Sequence, residues 1–349
     1  MEKYLTRYGD NFAAFMSGDE IRKDIENGVQ DAAKRGKVPP LANDEMDHLY
    51  DIITSPQKIV SVEPGKEVVV SFDAGTLKLT VRNGIPMDRL QAILTQERAL
   101  ASDSTELNHV DYSFKPVKPI ISEERQAMEQ AQLLATLPLL YGAMPNLGLY
   151  TKPDGPVDNW SELLPAGKIK EAREAQEEAI GHAVKDIVFV ASNMHESGAD
   201  GINLDTVGAA GDADVKASLE ATRILKQKYP DMAIEMGMAG EFNMGMHGKL
   251  EVDGQIVAGL YPHKQVLMAE ECGVSIFGMA VNTNSNRSLA WNLARVCTFA
   301  KETVKVSSIP VHANVGMGVC GIPLSLIPGA DAVSRVDKAL IEIAKIDGL

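Results

Sequence analysis

Apolar positions along this chain follow one kind of spacing and then another, and the change divides it. Near the N-terminus, Ile21, Ile25, Val29 and Ala32 recur at helical spacing. Ser17-Gly-Asp-Glu20 ahead of them reads as a capping box, and Lys34, Arg35 and Gly36 close the helix at its negative end. A second, shorter helix is predicted from Asn43, with Met46, Leu49 and Ile53 on its buried face. Two apolar runs, Val68–Phe72 and Leu77–Val81, flank a turn at Asp73-Ala-Gly75 and predict a β-hairpin. Pro86 opens a further helix through Leu100, and the loss of pattern from about Ala101 to Ile120 marks a linker. Residues 1–120 thus read as an N-terminal helical and hairpin region.

In 121–349 short apolar runs alternate with helical stripes. Leu137–Ala143 predicts a strand, followed by a Gly/Pro-rich loop from Pro145 to Pro165. Ile180, Val184, Ile187, Val190 and Met194 then mark one long helix ending near Gly198; the stripe runs straight through Asp186–Ala191, which overrides a strand reading there. Further strands are predicted at Gly201–Asp205, Ala233–Met236, Val274–Met279 and Val311–Val315. Helices between and after them are marked by Val215–Leu225, His263–Cys272, Ser288–Val304 and Val333–Ile343. Strands separated by helices imply parallel pairing with right-handed crossovers. An α/β fold of the TIM-type (β/α)8 barrel fits best, because polar residues recur at the C-terminal ends of successive strands.

The helix-to-strand junctions share a signature. Ala199-Asp200-Gly201-Ile202 enters one strand and Gly273-Val274-Ser275-Ile276 another, and the closing Asp347-Gly348-Leu349 repeats the first almost literally. The last three residues therefore read as the onset of a further buried strand. Barrel-like sequence from Leu137 to Leu349 covers roughly 210 residues, short of the ~250 of a complete barrel. The expectation is a barrel that is incomplete in this chain.

Composition narrows the function classes. The chain has 349 residues, 45% of them hydrophobic but only 5% aromatic, which suits helices packed on buried parallel strands. Its formal net charge of -14 disfavours nucleic acid and anionic membranes as partners. Three scattered cysteines, Cys272, Cys297 and Cys320, offer neither a disulfide framework nor a thiolate zinc site. The N-terminus lacks the apolar core of a signal peptide, so a cytoplasmic location is expected.

The predicted strand ends collect Asp205 and Thr206; Glu235; Glu241 and His247 in the following loop; Asn282, Thr283 and Asn284; and His312 with Asn314. Catalytic groups in barrels converge at these ends, where a carboxylate can hold an alkylammonium ion or exchange its proton. Hydrogen bonding to loop backbone is the alternative for any one of them. Gly316-Met-Gly-Val-Cys-Gly321 spells GxGxxG, but Pro323 and Pro328 follow in place of a helix, so a loop in close contact with a ligand explains the glycines better than a dinucleotide site. Asn193-Met-His195-Glu-Ser-Gly198 is one residue away from DxHxxG, a cobalt-ligating pattern, yet it closes an amphipathic helix and reads as a helix terminus. Glu235, His247 and His312 lack the tight spacing of a metal site, and none is expected. Met236, Met238, Met244 and Met246 suit either an adaptable docking surface or ordinary core packing.

Several longer segments together resemble the dimethylamine:corrinoid methyltransferases of methylamine-using archaea and anaerobic bacteria. They are Tyr141–Trp160 (YGAMPNLGLYTKPDGPVDNW), Gly198–Asp205 (GADGINLD) and Ile234–Glu241 (IEMGMAGE). Tyr261-Pro-His263, Val281-Asn-Thr-Asn284 and Ile309–Gly318 continue the likeness, which covers essentially the whole chain.

The resemblance implies a barrel enzyme that moves a methyl group from dimethylamine to the Co(I) corrinoid of a separate small protein, leaving monomethylamine, in methanogenesis from methylamines. It also implies a pyrrolysine, encoded by an in-frame amber codon and expected just after Leu349. No cofactor is expected to bind this chain directly, since the corrinoid comes with its partner; a homo-oligomer is expected. An uncharged amine is a poor leaving group, so its nitrogen must be cationic before Co(I) displaces it. The pyrrolysine imine carbon is an electrophile suited to capturing and orienting the amine, beside a carboxylate that stabilises the cation and manages its proton. Glu235 and Glu241 are the candidates for that carboxylate, with Asp205, His312 and Asn314 in support; these are inferences from position at the strand ends. The alternatives are a pyrrolysine-independent barrel lyase or demethylase, and an inactive truncated subunit that only binds partners.

Overall fold

The computed structural model describes residues 2–69, 121–134, 138–143, 145–209, 211–245, 249–316, 318–325 and 328–349. The predicted hairpin beyond Val69, the helix from Pro86 to Leu100, the linker, His247 and Met246 lie outside the described residues.

The chain opens with a hairpin, β1 (Lys3–Arg7) and β2 (Ala13–Ser17), antiparallel with Leu5 opposite Phe15. Helices α1 (Gly18–Gly36), α2 (Asn43–Thr54) and α3 (Ile121–Leu134) follow. Next come β3 (Leu140–Ala143), a short α4 (Trp160–Leu163), the long α5 (Ile169–Glu196), β4 (Gly201–Val207), α6 (Asp212–Lys228) and β5 (Ala233–Met238). A two-residue pair, β6 (Glu251–Val252) and β7 (Gln255–Ile256), precedes α7 (Pro262–Glu271), β8 (Ile276–Met279), α8 (Leu289–Val306), β9 (Val311–Ala313) and α9 (Ala330–Ala339). The architecture is α/β, with a five-stranded parallel sheet in the order β3-β4-β5-β8-β9, consistent with part of a (β/α)8-like fold. Among the described residues, no helix is long and apolar enough to cross a membrane.

By contacts the chain forms two compact units, one of 1–109, 262–267 and 278–349, the other of 110–261 and 268–277. In the first, α1 packs against α8. Ser17 caps α1 with the predicted reciprocal box: its hydroxyl accepts the Glu20 N–H at 3.3 Å, and the Glu20 carboxylate accepts the Ser17 N–H at 2.7 Å. Ile21, Ile25, Val29 and Ala32 are all buried, as the spacing predicts. Gly28 lets the two helices touch, since a Cβ there would stand 2.3 Å from the Trp291 carbonyl oxygen. Lys34, Arg35 and Gly36 close the helix, and Gly36 does so from within. It is the last helical residue, pressed on the Phe299 ring, and Lys37 takes the left-handed cap conformation at φ 54°. In α2, Leu49, Ile52 and Ile53 are the buried residues while Met46 is only half-buried, because the core-facing stripe is set one residue round from the predicted one.

Charged cross-links hold this unit's helices. Arg295 Nε lies 2.6 Å from Asp31 Oδ2, and Arg35 Nε 3.0 Å from Asp31 Oδ1. Burial would raise the Asp31 pKa, but the hydrogen bonds from Arg295 and Arg35 outweigh it and hold the carboxylate below its usual range. Arg335 donates to the Ile53, Ser55, Gln57 and Lys58 carbonyls and so ties α9 to the turn after α2. Past α9 the helix widens into a π turn over Leu340–Ala344, and Lys345 ends it at φ 59°. Asp347–Leu349 then lies parallel to β9. His312 bridges Gly348, the Ala313 N–H donates to the Gly348 carbonyl at 3.2 Å, and Gly348 bridges Val69 on its other side. At the place where the sequence predicts a strand to begin, the closing residues thus make isolated parallel bridges at Gly348.

In the second unit α5 lies against α6 through small residues. Ala172, Ala175, Ala179 and Ala183 meet Ala213 and Ala217, with Leu147, Val157, Trp160 and Ile180 filling the same core. The run Asp186–Ala191 is helical throughout, and α5 ends at Glu196 with Gly198 at φ 101°. The Asn193–Gly198 motif is therefore the terminus of that helix. Tyr150 donates to Asp186 at 3.1 Å; burial first, then the neighbouring carboxylate, push its pKa up and keep the phenol protonated.

Candidate active site

Strand pleating sorts the residues of β4 and β5 onto two faces. Ile202 and Leu204, with Ile234 and Met236, are almost wholly buried on one face. The pairing of Asn203 with Glu235 puts those two on the opposite face, which Asp205 and Gly237 share by alternation. On the flank, Gly142 of β3 pairs with Asn203. A polar row, Gly142–Asn203–Glu235, therefore crosses three adjacent strands in register. Glu235 is buried, and the Asn203 Oδ1 is buried without a hydrogen-bond partner among the described residues.

Beyond this row the ladder slips. Leu204 pairs with Met236 but Val207 with Met238, so β4 carries one residue more than β5 over this stretch. Thr206 sits in the left-handed region at φ 51°, which costs a β-branched residue on the order of 1–3 kcal/mol. The Asp205 carboxylate accepts the Thr206 N–H at 2.7 Å and helps hold that bend. Gly237 supplies the clearance opposite, since a Cβ there would lie 3.0 Å from Asp205 Oδ1 and 3.7 Å from Asn203 Oδ1.

The loop after β5 is fastened to the segment that follows β7. The Asn243 N–H donates to the Leu260 carbonyl and its side-chain amide to the Val257 carbonyl, at 3.1 Å each, with Glu241 buried two residues earlier. At the start of α6, Asp212 and Asp214 are also fully buried; Asp214 accepts the Leu147 N–H at 3.0 Å, and the Asp212 N–H donates to the Met244 carbonyl at 2.7 Å. Carboxylates at a helix N-terminus are favoured by its dipole.

Asp205, Glu235 and Glu241 belong to one unit and His312 and Asn314 to the other. Asp205 and Glu235 share a strand face, whereas Glu241 stands in a loop. His312 is the middle residue of β9, beside Gly348, and Asn314 follows that strand's end. The predicted cluster Asn282–Asn284 works mainly on backbone: Asn284 exchanges hydrogen bonds with the Asn292 side chain, Asn282 accepts from Arg295, and Thr283 donates to Gly318. The glycine-rich segment after β9 forms turns and a bridge from Val319 to Asn282; no helix starts within its described residues. Met236 and Met238 are core residues, and Met244 is exposed. Among the described residues no group of His, Cys, Asp and Glu is arranged to hold a metal ion.

Sequence reasoning passed over Asn203, Asp212 and Asp214. Asn203 lies two residues before Asp205, the spacing of one strand face, which is the signal that would have found it. The two aspartates open the helix that follows a Gly-rich strand-to-helix segment, Gly208-Ala-Ala-Gly-Asp-Ala-Asp214, a place where barrel chemistry is concentrated.

The family model of dimethylamine methyltransferase (Dimeth_PyL) matches residues 2–349.

Proposed function

The chain belongs to the dimethylamine methyltransferase family, and from that premise we propose that the polar face of β4 and β5 is where its amine substrate is held. The enzyme is a methyltransferase that moves a methyl group from dimethylamine to a corrinoid protein. Its fold is read as a closed (β/α)8 barrel whose parallel sheet supplies the floor of the site, and its working location as the cytoplasm.

The roles follow from charge and position. Glu235, buried on the polar face, balances the positive nitrogen that methyl transfer requires; in surroundings shielded from water that attraction is stronger than in solution. Asp205, held by its bond to the Thr206 N–H, adds a second carboxylate farther along the face. Glu241, His312 and Asn314 are proposed as supporting polar groups around the reacting amine. The cobalt is the methyl acceptor and arrives with the partner protein. A pyrrolysine is proposed next after Leu349; the parallel pairing of Gly348 with His312 supports a strand there, running toward the end at which barrels do their chemistry. That residue would supply an electrophilic imine carbon suited to holding the amine.

The observation that carries the site assignment is the in-register pair Asn203–Glu235 on one strand face. The test is full-length protein, produced with amber readthrough, given dimethylamine and its reduced corrinoid partner while the loss of the Co(I) spectrum is followed. Glu235→Gln keeps the side-chain shape and removes the charge. It is expected to lower kcat/KM by about 100-fold or more, and a variant as active as the parent overturns the assignment.

A further inference from the structure

The polar row across β3, β4 and β5 contains a group for which no role has been given. Asn203 sits between Gly142 and Glu235, paired with each in the ladder. Its Oδ1 is shut off from solvent and takes no hydrogen bond from the described residues. An amide oxygen left in that state is unfavourable, so its retention calls for a donor that the described residues do not provide.

Space is left beside it. Among the described residues no atom lies within 4 Å of where a Gly142 Cβ would be, and Gly237 keeps a methyl group from standing 3.7 Å from the Asn203 oxygen. The row is therefore a shallow floor with a glycine on the flank and a buried carboxylate on the next strand, about 4.8 Å away. A ligand fitting there is small, carries positive charge for Glu235 and offers an N–H to Asn203. A second carboxylate in place of the amide would add like-charge repulsion beside Glu235, whereas a neutral oxygen accepts a hydrogen bond without it.

We propose that Asn203 is a substrate-binding residue that sets specificity by the number of N–H groups on the amine, accepting one while Glu235 accepts another. This deepens the functional reading above and rests on it. A secondary ammonium has two N–H groups and satisfies both oxygens. A tertiary ammonium has one, which the Glu235 charge draws, so the Asn203 oxygen stays buried and unfilled and faces a methyl group in place of the second N–H. Sites that hydrogen-bond a substrate N–H discriminate strongly against analogues without it, for this reason.

The test measures binding by calorimetry on full-length protein, with dimethylammonium and trimethylammonium chloride as ligands, alongside KM and kcat for dimethylamine. Asn203→Ala is expected to weaken dimethylammonium binding by about 10- to 100-fold while changing trimethylammonium binding by less than about 3-fold, so the preference between them collapses. Asn203→Leu has nearly the same shape and size but no acceptor, and is expected to lose dimethylammonium affinity and preference as the alanine variant does. Unchanged dimethylammonium affinity in folded Asn203→Ala, or an equal loss for both amines, overturns the proposal. Should the alanine variant not fold, the leucine variant decides: retained dimethylammonium affinity and preference there overturn the proposal, and a collapsed preference supports it. A parent protein that neither binds nor demethylates dimethylamine sinks the functional reading itself, whereas an active parent with an indifferent Asn203→Ala sinks only this inference.

Discussion

The two contact units fasten their helices by different means and their strands by the same one. In the first, α1, α2 and α8 are joined by charged pairs, Asp31–Arg295, Glu45–Lys301 and Asp47–Arg22 among them. In the second, α5 and α6 meet through a core of alanines, and charge enters at their exposed ends, where Lys228 reaches Ser192 and Glu196. Yet the strand entries match. The Asp200 N–H donates to the Leu139 carbonyl at 2.9 Å while its carboxylate accepts the Leu139 N–H at 2.8 Å. Asp347 makes the same two-way exchange with Val311, both bonds at 2.9 Å. Ser275 repeats it with Ile234, hydroxyl replacing carboxylate. Each clasp satisfies a backbone N–H on the neighbouring strand that the parallel ladder has not yet reached. Helix contacts are thus particular to their place, while the strand entry is a recurring device.

Removing a charged cross-link should therefore cost more than removing a clasp. Asp31→Ala deprives the nearly buried Arg295 side chain of its carboxylate partner, and a loss of about 2 kcal/mol is expected at neutral pH, measured by urea unfolding. The pH dependence has a definite sign. A carboxylate whose folded pKa is depressed contributes fully above its unfolded value, about 4, and loses that contribution as pH falls through the lower folded value. Parent and variant should converge in acid. A gap that persists there would mean that packing, and not charge, holds α1 to α8.

The clasps rank next, and they separate by exposure. Val311 is buried and Leu139 only half so. Asp347→Ala is expected to cost about 1–2 kcal/mol and Asp200→Ala about half of that, since water replaces the lost acceptor more easily at Leu139. Hydrogen exchange at the Val311 and Leu139 amides reads each clasp locally. Equal protection losses at the two sites would undo the exposure argument.

How much of this was legible beforehand follows from the same physics. The Asp-Gly and Val-Ser entries stood out because one bond pattern recurs with nearly the same residues, and α1 because its cap and buried stripe are both local. The β1–β2 hairpin escaped because its outer face carries Leu5 and Phe15, exposed where alternation calls for polar residues. The β6–β7 pair escaped because two-residue strands are too short for any period. At the candidate site, Asp205 and Glu235 were legible as strand acids, although Glu235 is the third of the six residues of β5 and not at its end. Asn203 was not, because its significance comes from pairing with Glu235 and Gly142, and register between distant strands is a property of the fold.

The smallest effect expected, and the sharpest check on the clasp as a device, is at Ser275. Its hydroxyl accepts the Ile234 N–H at 3.2 Å, a longer and uncharged bond, while the Ser275 N–H still donates to the Ile234 carbonyl at 2.7 Å. Ser275→Ala removes only the weaker half, so a loss of about 0.5 kcal/mol is expected, with faster exchange confined to the Ile234 amide. Ser275→Asp should restore protection there by supplying the acceptor used at Asp200 and Asp347. If the aspartate loosens that amide further, the three entries share a hydrogen-bond pattern without sharing a cause, and the likeness between the units ends at their sequences.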